Sequence, residues 1–186
     1  MSEAFAEHAE VLARLDELLP AAEEAARLIV EAYEGGGRVI SFGNGGSAAD
    51  AQHITGELVG RFKRERRPLA AIALSVDPSV VTCIANDYSF EDLFARQVEA
   101  HARAGDVAVG YTTSGRSENV VRALRAARGA GARTILFAGG DGLPAAEHAD
   151  VALVVPSQST ARVQEMHLLL MHVIVDRVDA WAAAPA

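Results

Sequence analysis

The sequence predicts an α/β fold: a three-layer sandwich whose mainly parallel β-sheet is covered by helices on both faces, with further helices at the N-terminus. Three observations carry this. Five short apolar runs alternate with stretches of helical spacing, the pattern of βαβ units. The chain has 186 residues, half of them apolar and 23% charged, enough for one substantial core and ordinary for a globular protein. A glycine-rich turn, Gly43-Asn44-Gly45-Gly46-Ser47, stands between the first apolar run and the next helix, at the carboxyl end of a strand, where open parallel sheets bind ligands.

Residues 2–34 show helical spacing, with Ala4, Phe5, His8, Val11, Leu12, Leu15 and Leu18 on one side. Pro20 marks a break or restart, so two helical pieces precede the core. After Glu34 and three glycines comes a first strand over 38–42. The alternation continues with a helix from Ser47, a strand over 69–74, helices near 78–85 and 90–103, and a strand over 107–111. A helix over 117–128, a strand over 134–137, a helix over 144–148, a strand over 151–155 and a long helix over 160–181 follow. No repeat, low-complexity segment or linker interrupts the series. Residues 1–186 therefore read as a single domain, with 1–34 a helical extension and 38–183 the α/β core.

A net charge of −8 argues against a broad nucleic-acid footprint. The one basic run, Arg61, Lys63, Arg64, Arg66 and Arg67, reads either as a solvated helix end or as a partner or ligand patch. The start has no basic and apolar leader, and no stretch approaches the roughly 18 apolar residues of a membrane span. No membrane contact is expected, and the cytoplasm is the expected compartment. The lone Cys83, inside the apolar run Val80, Val81, Thr82, Cys83 and Ile84, reads as a buried structural thiol.

Two loops and two helices carry the chemistry. The glycines of the 43–47 turn let a ligand approach main-chain amides closely. Ala48 stands where a dinucleotide fingerprint needs its third glycine, and no GK[ST] follows. The loop Thr112-Thr113-Ser114-Gly115-Arg116-Ser117 places four hydroxyls at a helix start, where free N–H groups and the helix dipole favour an anion, and it reads as a phosphate cradle. Ser47 with Asp50 resembles a capping box. Asp50, His53, Glu57 and Arg61 recur every three or four residues, either as an exposed ion-pair ladder or as a stripe facing the ligand crevice. The last helix is apolar nearly all round, which calls for burial in the core or in an oligomer interface, and within it Gln164, His167 and His172 must find polar partners.

With these residues in place, the chain resembles the sugar isomerase (SIS) domain family, of flavodoxin-like fold, and within it the sedoheptulose 7-phosphate isomerases. The motifs are Gly43-Asn44-Gly45-Gly46-Ser47, Gln52-His53 with Glu57, Ala85-Asn86-Asp87, Thr113-Ser114-Gly115-Arg116-Ser117, and Arg162-Val163-Gln164-Glu165 with His172. The resemblance implies a five-stranded parallel sheet, a homotetramer with active sites shared between subunits, and one zinc ion per subunit. It further implies an aldose–ketose isomerase that converts D-sedoheptulose 7-phosphate to D-glycero-D-manno-heptose 7-phosphate through an enediolate. By motif match, Thr112, Thr113, Ser114 and Ser117 would hold the phosphate. Asn44, Gly45, Gly46, Ser47, Asn86 and Asp87 would contact the sugar, with Glu57 and Gln164 also touching substrate. His53, Glu57, Gln164 and His172 would be the zinc set, Glu57 and His172 doubling as the catalytic proton-transfer pair.

Gln164 and His172 lie eight residues apart, about 12 Å of rise and about 80° of rotation on a straight helix. Either the helix begins later than residue 160, or different subunits contribute the two, or only one is a ligand. The competing function is a non-catalytic SIS protein that binds a sugar phosphate or a replication initiator. Relatives of that kind lack the acid–base pair, so Glu57 together with His172 favours the enzyme.

Overall fold

The computed structural model describes residues 2–184. Strands β1 (Val39–Gly43), β2 (Ala71–Ala73), β3 (Val107–Thr112), β4 (Arg133–Gly139) and β5 (Val151–Val155) form one parallel sheet in the order β2-β1-β3-β4-β5. Val39 pairs with both Ala71 and Val107, and Ile135 with Val151. All of β1 and β3 is buried, and strands covered on both faces read as unbroken apolar runs, as theirs do. The chain moves outward from β1 to β2 and then returns to β3 on the other side. The strand order reverses between β1 and β3, and a ligand crevice belongs at the carboxyl ends of those two strands.

The helices are α1 (Ser2–Leu12), α2 (Leu19–Glu34), α3 (Gly46–Val59), α4 (Pro78–Asp87), α5 (Leu93–His101), α6 (Glu118–Gly129) and α7 (Thr160–Ala182). α2, α3 and α7 bury Ala25, Ile29, Ile54, Leu58, Met171, Ile174 and Val175 against one sheet face. α5 and α6, with Ile84 of α4, cover the other face through Phe94, Val98, Val120 and Leu124. Pro20 sits in the first turn of α2, where its missing N–H costs nothing, after a 3₁₀ turn at Leu15–Leu18.

Four expectations are corrected. Residues 144–148 form only a 3₁₀ turn, Ala145–His148. Gly45 occupies the N-cap position of α3 without a side-chain cap, and Ser47 lies buried inside the first turn, so the Ser47–Asp50 capping box does not form. Cys83 is exposed, its thiol 3.5 Å from Asp87 Oδ2, because α4 packs Val80, Val81 and Ile84 against the core and turns Thr82 and Cys83 outward.

Part of the basic run is neither a solvated helix end nor a free patch: Lys63, Arg64 and Arg66 are tied to Asp179, while Arg61 and Arg67 stay exposed. α3 stops at Val59, and the irregular segment after it is tied to α7. The Arg66 and Asp179 side chains are both fully buried, with Nε 3.0 Å from Oδ1. Asp179 also accepts the Lys63 and Arg64 amides, at 3.1 and 2.8 Å. Burial alone would raise the Asp179 carboxyl, but these N–H donors hold it below the usual carboxylate range. The Arg66 guanidinium donates to the carbonyls of Glu57 and Leu58 at 2.6 and 2.8 Å, satisfying orphan acceptors at the end of α3.

Candidate active site

Two groups of side chains lie on the sheet face covered by α3 and α7. The first is a hydroxyl-lined hollow at the carboxyl ends of β1 and β3. A space of about 270 Å³ is lined by Asn44, Gly46, Ser47, Thr112, Thr113, Ser117, Thr160 and Gln164. It adjoins one of about 410 Å³ lined by Thr113, Ser114, Arg116, Asp141 and Gln158. Ser117 occupies the N-cap position of α6, yet its hydroxyl makes no cap bond and lies 3.1 Å from Thr112 Oγ1. The loop hydroxyls therefore face the hollow rather than serving the helix. Gly115 has a φ of 71°, and a Cβ there would overlap the Gly142 backbone, so only glycine lets this loop meet the one that follows β4. A Cβ on Gly46 would strike the Gln164 amide, which places that side chain at the mouth of the glycine turn.

Asn44 and Asn119 exchange side-chain amide hydrogen bonds of 2.8 and 2.9 Å, joining the glycine turn to the first turn of α6. Motif spacing does not point to Asn119. The signal that could have found it is an amide in the apolar stripe of α6, between the loop and Val120, where it is buried.

The second group lies about two turns further along the helices. His53 Nε2 and Glu57 Oε1 are 3.0 Å apart, one turn apart on α3. His172 of α7 meets the His53 ring edge-on, centroids 5.1 Å apart. One ligand atom from each of His53, Glu57 and His172 lies within 4.8 Å of the others. Partial burial pushes the His172 imidazole below its usual pKa, with His53 adding to the shift and Glu57 opposing it, so the ring is neutral and free to ligate or accept a proton at pH 7. Two imidazoles and a carboxylate suit a divalent transition metal.

The stripe divides. Asp50 turns inward, with one buried carboxylate oxygen unpartnered among the described residues. Burial lifts its pKa to about 6, and His53 pulls the other way. Arg61 pairs loosely with Glu65 at 3.9 Å.

Gln164 is not with the triad in this chain. α7 runs unbroken from Thr160, so Gln164 and His172 stand about 12 Å apart along it. A later helix start is thereby ruled out as the route by which both would reach one ion. Asn86 and Asp87 join neither group. They are exposed at the end of α4, which belongs to the opposite sheet face, and bond to one another at 2.7 Å. Phe62, like Asn119 outside every sequence motif, stacks flat on His172 with centroids 5.3 Å apart.

The SIS domain profile matches residues 5–139. The chain is 54% identical to the phosphoheptose isomerase of Citrifermentans bemidjiense, over 92% of this chain and 90% of that protein. Its structure is similar to that of a phosphoheptose isomerase from Neisseria gonorrhoeae, with a TM-score of 0.91 and 41% identity over 96% of each chain. A phosphoheptose isomerase from Francisella tularensis aligns with a TM-score of 0.92 and 36% identity, again over 96% of each.

Proposed function

The chain belongs to the SIS domain family, among its phosphoheptose isomerases, and from that membership we infer that it is the enzyme converting D-sedoheptulose 7-phosphate to D-glycero-D-manno-heptose 7-phosphate. The observation that supports the reading is a hydroxyl-lined hollow beside the start of α6 together with, two turns away along α3 and α7, two imidazoles and a carboxylate whose ligand atoms lie within 4.8 Å of one another. The hydroxyls of Thr112, Thr113, Ser114 and Ser117, with the free amides at the start of α6, bind the phosphate. Asn44, Gly45, Gly46 and Ser47 hold the sugar near Gln164. The non-catalytic alternative gains no support from these relatives.

Ketose-to-aldose conversion removes a proton from C1, returns one to C2, and moves the hydroxyl proton from O1 to O2. A carboxylate and a neutral imidazole can perform both transfers. Glu57 takes the C1 proton and delivers it to C2, and His172 carries the proton between the two oxygens. A zinc ion held by His53, Glu57 and His172 would supply Lewis-acid polarisation of the substrate oxygens. Gln164 then serves the substrate in its own subunit and reaches a metal only across a subunit boundary. Asn86 and Asp87, exposed on the far face, contact sugar only in a neighbour's site. The assembly is a homotetramer with shared sites. No described helix is long and apolar enough to cross a membrane, and the enzyme acts in the cytoplasm.

The test is to incubate the purified protein with a panel of ketose phosphates and follow aldose phosphate formation by NMR in deuterated water. The wild type turns over the heptulose phosphate and exchanges its C1 proton. Glu57→Gln, with metal content measured alongside, loses about 10²- to 10⁴-fold in rate. Near-normal turnover and full exchange in that variant would show the mechanism to be wrong.

A further inference from the structure

Among the described residues no protein group hydrogen-bonds the His172 ring, whose close neighbours are the rings of Phe62 and His53 and the Glu57 carboxylate. A metal-ligating histidine is ordinarily oriented by a hydrogen bond from its second nitrogen. Without one, rotation about the last side-chain bond is soft, since that torsion has a broad profile. The ring of Phe62 lies 13° from coplanar with His172 at 5.3 Å, covering one imidazole face, while His53 meets it at 79°. A stacked ring resists that rotation, because turning the imidazole would break the flat contact.

Phe62 can do this only if it is itself held. It sits in the irregular segment after α3, packed against the buried cluster under α7. The two residues after it donate their amides to Asp179, and Arg66 closes the clasp with its buried ion pair to that carboxylate. Asp179 lies seven residues beyond His172 on α7, two turns on and on the same face. One helix thus carries both the imidazole and the anchor of the ring that covers it.

We propose that Phe62 is a positioning residue for His172, fixing the imidazole plane by stacking where a hydrogen bond would otherwise do so. The inference rests on His172 acting in the metal site, so the experiment separates the two. In metal-free protein, the His172 ring protons, assigned by their absence from His172→Gln, are shifted by the Phe62 ring current. The shift persists in Phe62→Tyr and is lost in Phe62→Leu. In titrations with cobalt(II) chloride, Phe62→Tyr keeps the wild-type visible spectrum, whereas Phe62→Leu binds about 10- to 100-fold more weakly, as when an outer-shell partner is removed. With heptulose phosphate, kcat falls in Phe62→Leu while KM stays within about twofold, because the cradle is untouched. A folded Phe62→Leu with wild-type metal affinity and kcat, or a Phe62→Tyr as impaired as Phe62→Leu, would overturn the proposal. A wild type that takes up no cobalt would sink the metal reading instead, and the ring-current measurement would still decide whether Phe62 orders His172.

Discussion

His167 shows how far a residue's surroundings can override its type. It is fully buried on α7, with Nε2 3.1 Å from the Ala138 carbonyl oxygen. Burial pushes its pKa down from 6.5 to about 4, against the hydrogen bond to Ala138, which favours the charged form. Below pH 6.5 the unfolded chain binds a proton here that the folded chain refuses until about pH 4. The stability linked to His167 is therefore complete above pH 6.5 and is lost as pH falls toward 4. A pKa lowered that far corresponds to a loss of about 3 kcal/mol. Urea melts at pH 7 and pH 4 should show His167→Gln losing about that much less than the wild type over the same interval. Equal pH dependence in the two proteins would mean that His167 is not held neutral. At this scale the sequence identified polar residues in an apolar helix that needed partners, but it did not separate His167, bonded to a strand carbonyl, from His172, open to the site. Helical spacing does not say which element lies opposite.

Among elements, the hydroxyl loop before α6 was the most legible feature, because a cluster of hydroxyls at a helix start is written in local sequence. The free Ser117 hydroxyl bears on what the loop does. Replacing Ser114 and Ser117 by Ala should leave the helix content and melting temperature nearly unchanged, since no cap bond is removed. Sugar-phosphate binding should weaken by about 1.5–3 kcal/mol for each charge-assisted bond lost. Calorimetry showing unchanged affinity would refute the cradle. The segment after α3 was the least legible. Its five basic residues suggested a solvated helix end or a ligand patch, whereas Lys63, Arg64 and Arg66 form a clasp whose partner, Asp179, is more than a hundred residues distant. Cys83 failed for a related reason. An apolar run marks a helix that can be buried, and only the neighbouring elements decide how much of it is.

For the whole molecule, the outer helices leave apolar side chains in solvent. Phe5 is 75% exposed and Leu12, Leu19 and Leu169 at least 40%, and a groove lined by Leu12, Leu15, Leu19, Leu169 and Val173 runs between the N-terminal segment and α7. Apolar side chains left exposed in this way on a family enzyme are expected to be covered by further copies. Light scattering at micromolar concentration should give four times the chain mass of 19.6 kDa. Phe5→Asp combined with Leu169→Asp should reduce that mass and, if sites are shared, abolish turnover. A monomeric wild type would sink both the assembly and the sharing of sites.

By itself the sequence determined the alternation of strands and helices, the two loops at their carboxyl ends and the residue types of the chemistry. Each of these is written in local spacing: period, glycine placement, and hydroxyls at a helix start. Only the tertiary structure decided which side chains meet. It brought His53, Glu57 and His172 together while leaving Gln164 at the glycine turn and Asn86 and Asp87 on the far face. It also stacked Phe62 on His172 and joined Arg66 to Asp179. Those contacts link residues far apart in the chain, and their distances depend on how helices lie across the sheet, which spacing along one helix does not encode.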